Sequence, residues 1–311
     1  MVKGHSLDGT HLGGHGSGGD MPLEGPFHIS AKLDRLMLRD NVAVSPLSLE
    51  MAGIGDRPAT MTMSGSLSKS ATIVGEIAPA EQGRRLTLNT TDAGLLVKGL
   101  FGFSSIKSGR LDLSATLPGK AGDPSSENPS VPDYQGKITL RDFKVLNQPF
   151  LTRLFTAGSL GGLTNLMQGQ GIGVDKLDVP FSSKGGVVAI HDARATGPAI
   201  GLTAGGYIDR AKNAVALKGT MVPVFGLNSV LGSIPVLGNV LVSKPGEGVF
   251  GMTYSVKGNA DQPDLNINPL SVLTPGILRR IFEGKMPNAA QAPSNQVSVP
   301  PSTAPVPVSQ Q

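Results

Sequence analysis

From Phe27 onward the chain alternates apolar and polar residues in short runs, the period of two that marks strands with one buried face. Phe27-His28-Ile29-Ser30-Ala31-Lys32-Leu33 alternates cleanly, as do Leu47-Ser48-Leu49-Glu50-Met51, Met61-Thr62-Met63 and Arg85-Leu86-Thr87-Leu88. The period continues in Arg110–Ser114 and Lys137–Leu140, then in consecutive strands predicted over Val187–Ile190, Ala199–Ile208 and Val215–Met221. A last pair covers Phe250–Val256 and Leu265–Ile267. A parallel crossover takes a dozen or more residues, so connections this short predict antiparallel pairing throughout. One apolar and one polar face is the pattern of an antiparallel sheet with water on one side.

Three segments break the pattern. Asp92–Phe101 has an Asp suited to an N-cap and helical apolar spacing. Phe150–Met167 carries Leu151, Leu154, Phe155, Leu160, Leu163 and Leu166, and predicts a helix interrupted by Gly158, Gly161 and Gly162. Thr274–Phe282 has a Thr cap, then Pro275 at the first helical position. So few helices cannot cover both ends and a whole face of a long sheet. Either the sheet curls on itself, or its apolar face serves something else.

Residues 1–25 are rich in glycine without an apolar stretch, which excludes a signal peptide or membrane anchor there and predicts disorder. A Pro-, Ser- and Gln-rich tail over 285–311 has the same expectation. A polar, proline-marked loop over 119–133 divides the globular region 26–284 into expected lobes 26–118 and 134–284.

Composition narrows the chemistry. With 42 Gly and 24 Pro in 311 residues, a helical protein is disfavoured. The absence of Cys excludes disulfides, zinc–thiolate sites, iron–sulfur clusters and a cysteine nucleophile. The net charge of +4 is spread thinly, and no basic run interleaves with aromatics, so a nucleic-acid role is not expected.

Catalytic motifs are scarce. Gly246–Gly251 and Gly14–Gly19 match G-x-G-x-x-G, but the first runs into a strand and the second lies in the glycine-rich segment. No P-loop and no G-x-S-x-G elbow occurs. His5, His11 and His15 would converge on a metal only on a helix, which Gly13 and Gly14 oppose. His28 and His191 have no obvious carboxylate partner, while Asp112, Asp142, Asp175 and Asp178 read as a solvated outer face. No tuned acid–base pair emerges, and neither an enzyme nor a cofactor is expected.

The stretch Met221–Val242 is uncharged and long enough to span a bilayer, but Pro223, Asn228, Ser229, Pro235 and Asn239 oppose spanning. It reads instead as a buried or lipid-facing cap. Phe225, Leu227, Val230, Leu231, Ile234, Val236 and Leu237 are its candidate membrane or partner contacts.

Several motifs together carry a resemblance. Pro149–Leu154, Ser159–Leu163, Gly169–Ile172, Leu177–Phe181, His191–Gly201 and Val222–Ser229 resemble the C-terminal region of AsmA-like proteins of the YhdP type. Ile234–Gly238, Gly258–Pro263 and Asn268–Gly276 extend the likeness, strong over 135–283 and weaker over 26–118, where Asp92–Phe103 and Gly109–Leu117 carry it. The resemblance implies a protein of the Gram-negative envelope. Its relatives have an inner-membrane helix and a long twisted antiparallel sheet folded into a periplasmic trough that carries phospholipid toward the outer membrane. This chain would then be the outer-membrane-proximal end of such a protein, without the anchor.

The fold expected is therefore mainly β, a long antiparallel sheet curled into a groove and capped by a few short helices. Each buried CH₂ contributes about 0.8 kcal/mol, so moving an acyl tail through water costs on the order of 10 kcal/mol. A carrier needs an unbroken apolar surface and no catalytic residue. The candidate lining begins with Phe27, Ile29 and Leu33, then Leu47, Leu49 and Met51, then Met61 and Met63. It continues through Leu86 and Leu88, Leu111 and Leu113, Ile138 and Leu140, Ile200 and Leu202, Val215 and Leu217, and ends with Met252, Tyr254, Leu265 and Ile267. Each of these serves equally well in a closed β core. The expected function is phospholipid transfer by acyl-chain binding, with an outer-membrane assembly factor acting through protein contacts as the alternative.

Overall fold

The computed structural model describes residues 2–10, 25–55, 57–81, 83–117, 133–157, 161–223, 249–260 and 262–273. The first strands are β1 (Val2–Asp8), β2 (Pro26–Met37), β3 (Ala43–Val44), β4 (Leu47–Ile54), β5 (Arg57–Ser68), β6 (Ala71–Ala80) and β7 (Gly83–Thr90). Helix α1 (Ala93–Phe101) leads to β8 (Ile106–Lys107), β9 (Arg110–Leu117) and β10 (Tyr134–Val145). Helices α2 (Pro149–Ala157) and α3 (Gly161–Gln168) come next, then β11 (Ile172–Lys184) and β12 (Val187–Thr196). The remaining strands are β13 (Ile200–Asp209), β14 (Ala214–Pro223), β15 (Val249–Asn259) and β16 (Asp264–Leu273).

All 16 strands belong to one sheet whose order follows the chain from β1 to β16, with β3 and β8 as side branches on β2 and β10. The sheet is curled but does not close, because β1 and β16 stand at opposite ends of the strand order. A mainly β fold of this kind is what the period-two pattern predicts.

Several expectations are corrected. Val2–Asp8 forms a strand, and it pairs with β2 in parallel, from Val2 opposite Ala31 to Asp8 opposite Met37. The connection from Gly9 to Gly25 is long enough for a parallel crossover, so the short-connection rule does not reach it. The sheet is therefore mixed, with this parallel pair at its edge. The expected division into two lobes does not interrupt it either, since β9 pairs directly with β10 from Arg110 opposite Arg141 to Thr116 opposite Gln135. The single interrupted helix over 150–167 is two helices, α2 and α3. The sequences of β6 and β11 were not anticipated as strands. The predicted helix Thr274–Phe282, the tail and residues 224–248 lie outside the described residues.

The helices gather at one set of strand ends. Asp92 caps α1, its Oδ1 accepting the Leu95 N–H at 2.9 Å, and Gly102 closes it in the left-handed region (φ 71). The helix lies very close to β8 because Gly94 has no side chain; a Cβ there would sit 2.7 Å from the Ile106 carbonyl oxygen. Ala93 and Leu96 thereby join Leu33, Leu36, Leu38, Val42, Val44, Leu111, Leu140 and Phe143 in one buried cluster. A second cluster forms where α2 places Leu151, Leu154 and Phe155 against Ile172, Ile200, Met221, Met252 and Tyr254.

Candidate functional site: the apolar face of the sheet

Directly paired residues on neighbouring strands point to the same face of a sheet, so the register traces rows of side chains across it. One row runs Leu33, Leu47, Gly65, Ile73, Thr90, Leu111, Leu140, Leu177, Ala195, Leu202, Met221 and Met252. It borders the helical end. Its members Leu33, Leu47, Ile73, Leu111, Leu140, Ala195, Met221 and Met252 are buried.

Two residues along each strand, a second row runs Ala31, Leu49, Met63, Gly75, Leu88, Leu113, Ile138 and Val179. A third runs Ile29, Met51, Met61, Ile77, Leu86, Ala115, Gly136, Phe181, Ile190, Gly206, Leu217, Val256 and Leu265. It crosses every strand of the main path from β2 to β16, roughly 60 Å at the usual strand spacing. Apart from Ala31 in the second row and Ile77, Ala115 and Val256 in the third, the side chains in these two rows are half-buried. Helix α1 makes its main strand contacts with β8 and β10, at the end of the sheet that the first row borders.

The register places all the candidate lining residues on this one apolar face. They divide by depth. Leu33, Leu47, Leu111, Leu140, Ile200, Val215, Met252 and Tyr254 are buried in the chain's own core and present no surface to a ligand. Phe27, Ile29, Leu49, Met51, Met61, Met63, Leu86, Leu88, Leu113, Ile138, Leu202, Leu217, Leu265 and Ile267 remain half-exposed. Sequence reasoning missed Ile77, Val179, Phe181 and Ile190, which continue the half-exposed rows through β6, β11 and β12. Alternation within Ala71–Ile77 was the available signal, obscured by Val74 on the polar face. Phe225, Leu227, Val230, Leu231, Ile234, Val236 and Leu237 lie outside the described residues.

The opposite face carries a polar row from β2 to β13. Lys32, Ser48, Ser64, Val74, Asn89, Asp112, Thr139, Asp178, Arg194 and Thr203 form one continuous row, with exposed Val74 as its only apolar member. Several of the charges on this face are paired, which refines the expectation of a merely solvated face. Arg141 Nη1 lies 3.0 Å from Asp112 Oδ2, and Arg110 pairs with Asp142. Asp178 receives Lys176 Nζ at 2.8 Å, Lys137 Nζ at 3.0 Å and the Thr139 hydroxyl at 2.8 Å. Burial alone would raise the Asp178 pKa, but the hydrogen bonds from Lys176, Thr139 and Lys137 outweigh it and hold the carboxyl at about 2.

The histidines also gain partners. His28 Nε2 lies 3.4 Å from Glu50 Oε2, correcting the expectation of no carboxylate neighbour, and His191 Nε2 lies 2.7 Å from Ser182 Oγ. His5 Nδ1 meets Asp34 Oδ2 at 2.7 Å on the surface, while His11 and His15 lie outside the described residues. Among the described residues no three His, Asp or Glu side chains converge as metal ligands. A hollow of about 770 Å³ opens on the polar face between Glu76, Glu81, Arg85, Thr87 and Thr116, away from the apolar rows. No helix among the described residues is long and apolar enough to cross a membrane.

Compared with models of protein families, with curated proteins and with solved structures, the chain matches none. The reading of its site rests on its own residues.

Proposed function

We propose that the chain binds phospholipid acyl chains on its apolar sheet face and forms the periplasmic part of a conduit between the membranes of a Gram-negative envelope. One observation carries the reading: the half-buried apolar row from Ile29 to Leu265 crosses the sheet without a charged residue. A face of this kind exchanges water for hydrocarbon along its whole length, at about 25 cal/mol per Å² of apolar surface covered. Met51, Met61 and Met63 suit a fluid tail, because the thioether side chain is flexible and adapts to irregular surfaces. The polar face keeps the assembly wetted through charged residues, several of them paired with each other. The resemblance to AsmA-like proteins supplies the periplasmic setting and the phospholipid cargo.

The test is a lipid extraction of the purified full chain, read by mass spectrometry. Near-stoichiometric phospholipid is the expected result. Protein free of lipid after gentle purification, and unable to take up a fluorescent phospholipid from vesicles, would move the function to protein contacts in envelope assembly.

A further inference from the structure

The loop that ends α1 exposes two aromatic rings, Phe101 at 60% and Phe103 at 39% of their full surface, on either side of Gly102. Exposed rings this close together are unusual on a surface whose other large apolar residues are mostly turned inward. Their surroundings are basic. Lys98 lies in the last turn of α1, and Lys107 on β8 stands directly opposite Lys144 on β10, both exposed. Like charges placed directly across a strand pair repel, so this pair costs stability unless an anion lies over it.

Acids are sparse around these cations. From Ala93 to Gly109 and from Phe143 to Val174, the two segments that build this end of the sheet, there is no Asp or Glu. Of the nearby acids, Asp92 caps α1 and Asp142 pairs with Arg110, which leaves Asp40 on the turn against α1 and Asp175 on β11 facing a larger number of cations. Arg153 on α2 is exposed as well.

We propose that the Phe101–Phe103 loop, with Lys98, Lys107 and Lys144, is a docking surface for an anionic phospholipid bilayer. The rings enter the interfacial layer and the ammonium groups meet lipid phosphates. Amphipathic elements hold membranes by this combination of apolar insertion and cationic attraction. The proposal rests on the carriage reading for its purpose, since a conduit must meet a bilayer at one end, but not for its readout.

The experiment uses the full chain with vesicles of phosphatidylcholine, alone or with about a third phosphatidylglycerol. Binding is expected to the anionic vesicles, weakening as salt is raised. The paired change Phe101→Ser with Phe103→Ser should weaken it about tenfold or more, and Lys107→Glu with Lys144→Glu similarly. The chain contains no Trp, so Phe103→Trp supplies a single reporter whose emission should shift to the blue on anionic vesicles. Unchanged binding by the serine variant, or no shift from the reporter, overturns the proposal. Wild-type protein that binds neither vesicle overturns it too, and assigns the loop to a protein partner. Lipid extracted from the same preparations is a separate measurement. Protein that carries no lipid yet docks through Phe101 and Phe103 sinks the carriage reading and leaves docking standing.

Discussion

Tyr254 on β15 donates its hydroxyl to the Thr203 carbonyl oxygen on β13 at 2.6 Å, reaching over the intervening strand β14 at Gly219. A Cβ on Gly219 would lie 2.6 Å from the Tyr254 hydroxyl oxygen and closer still to the Thr203 carbonyl. Three strands are thereby locked at one point. Burial pushes the Tyr254 phenol above its ordinary value, which keeps it a donor across the physiological range.

Gly219→Ala is expected to cost about 2–3 kcal/mol, because the new methyl group collides with backbone as well as ring. Tyr254→Phe keeps the shape and loses one buried hydrogen bond, about 1 kcal/mol. Urea unfolding of both variants checks the order: the glycine change should be the more damaging.

Leu111 and Leu113 lie on the same strand and face, but Leu111 is 8% exposed in the first row and Leu113 half-exposed in the second. Leu111→Ala should cost about 2–4 kcal/mol through the cavity it leaves, and Leu113→Ala about half that or less. Leu113→Asp, alone or with Leu49→Asp, should fold and lose most of its extractable phospholipid. Thermal melts and lipid mass spectrometry on the same samples separate the two roles.

Asp178 titrates below its ordinary value of 3.8, at about 2, so the unfolded chain binds the proton more readily between those values. Its contribution is full above about pH 4 and is lost as the pH falls toward 2. Asp178→Asn should lower stability by about 1–2 kcal/mol at pH 7, with allowance for solvent screening at this partly exposed site. The gap from wild type should close over that acid range, as read by unfolding at a series of pH values.

Asp92→Ala removes the side-chain acceptor for the Leu95 N–H and should cost about 1 kcal/mol. Because α1 covers Leu33, Leu111 and Leu140, hydrogen exchange should speed up in α1 and at the adjoining ends of β2, β9 and β10. Exchange at β15 and β16, far along the sheet, should not change.

Much of this architecture was legible along the chain. Alternation located β2, β4, β5, β7, β9, β10 and β12 to β16, and Asp92 announced α1. However, β12 runs six residues past the expected Ile190, through the segment expected to separate it from β13, and β16 runs six past Ile267. Strand β6 escaped because Val74 faces the polar side at 49% exposed, filling the slot where the pattern wants a polar residue. Strand β11 escaped because Pro180 and a register shift between Asp178 and Phe181 break its period. Strand β1 left no signal at all. From Gly4 to Asp8 it is exposed, so main-chain pairing with β2 rather than burial holds it.

Which residues share a face followed from spacing alone, because side chains on a strand must alternate and short connections return the chain antiparallel. Depth did not follow. Leu111 and Leu113 are the same residue two positions apart, and nothing local distinguishes them. The difference arises where α1 settles on the strand ends, brought close by Gly94 and Gly99, and removes one row from water while the next two rows stay half open. Burial is a property of what lies across from a residue, and that neighbour is set by contacts distant in the chain.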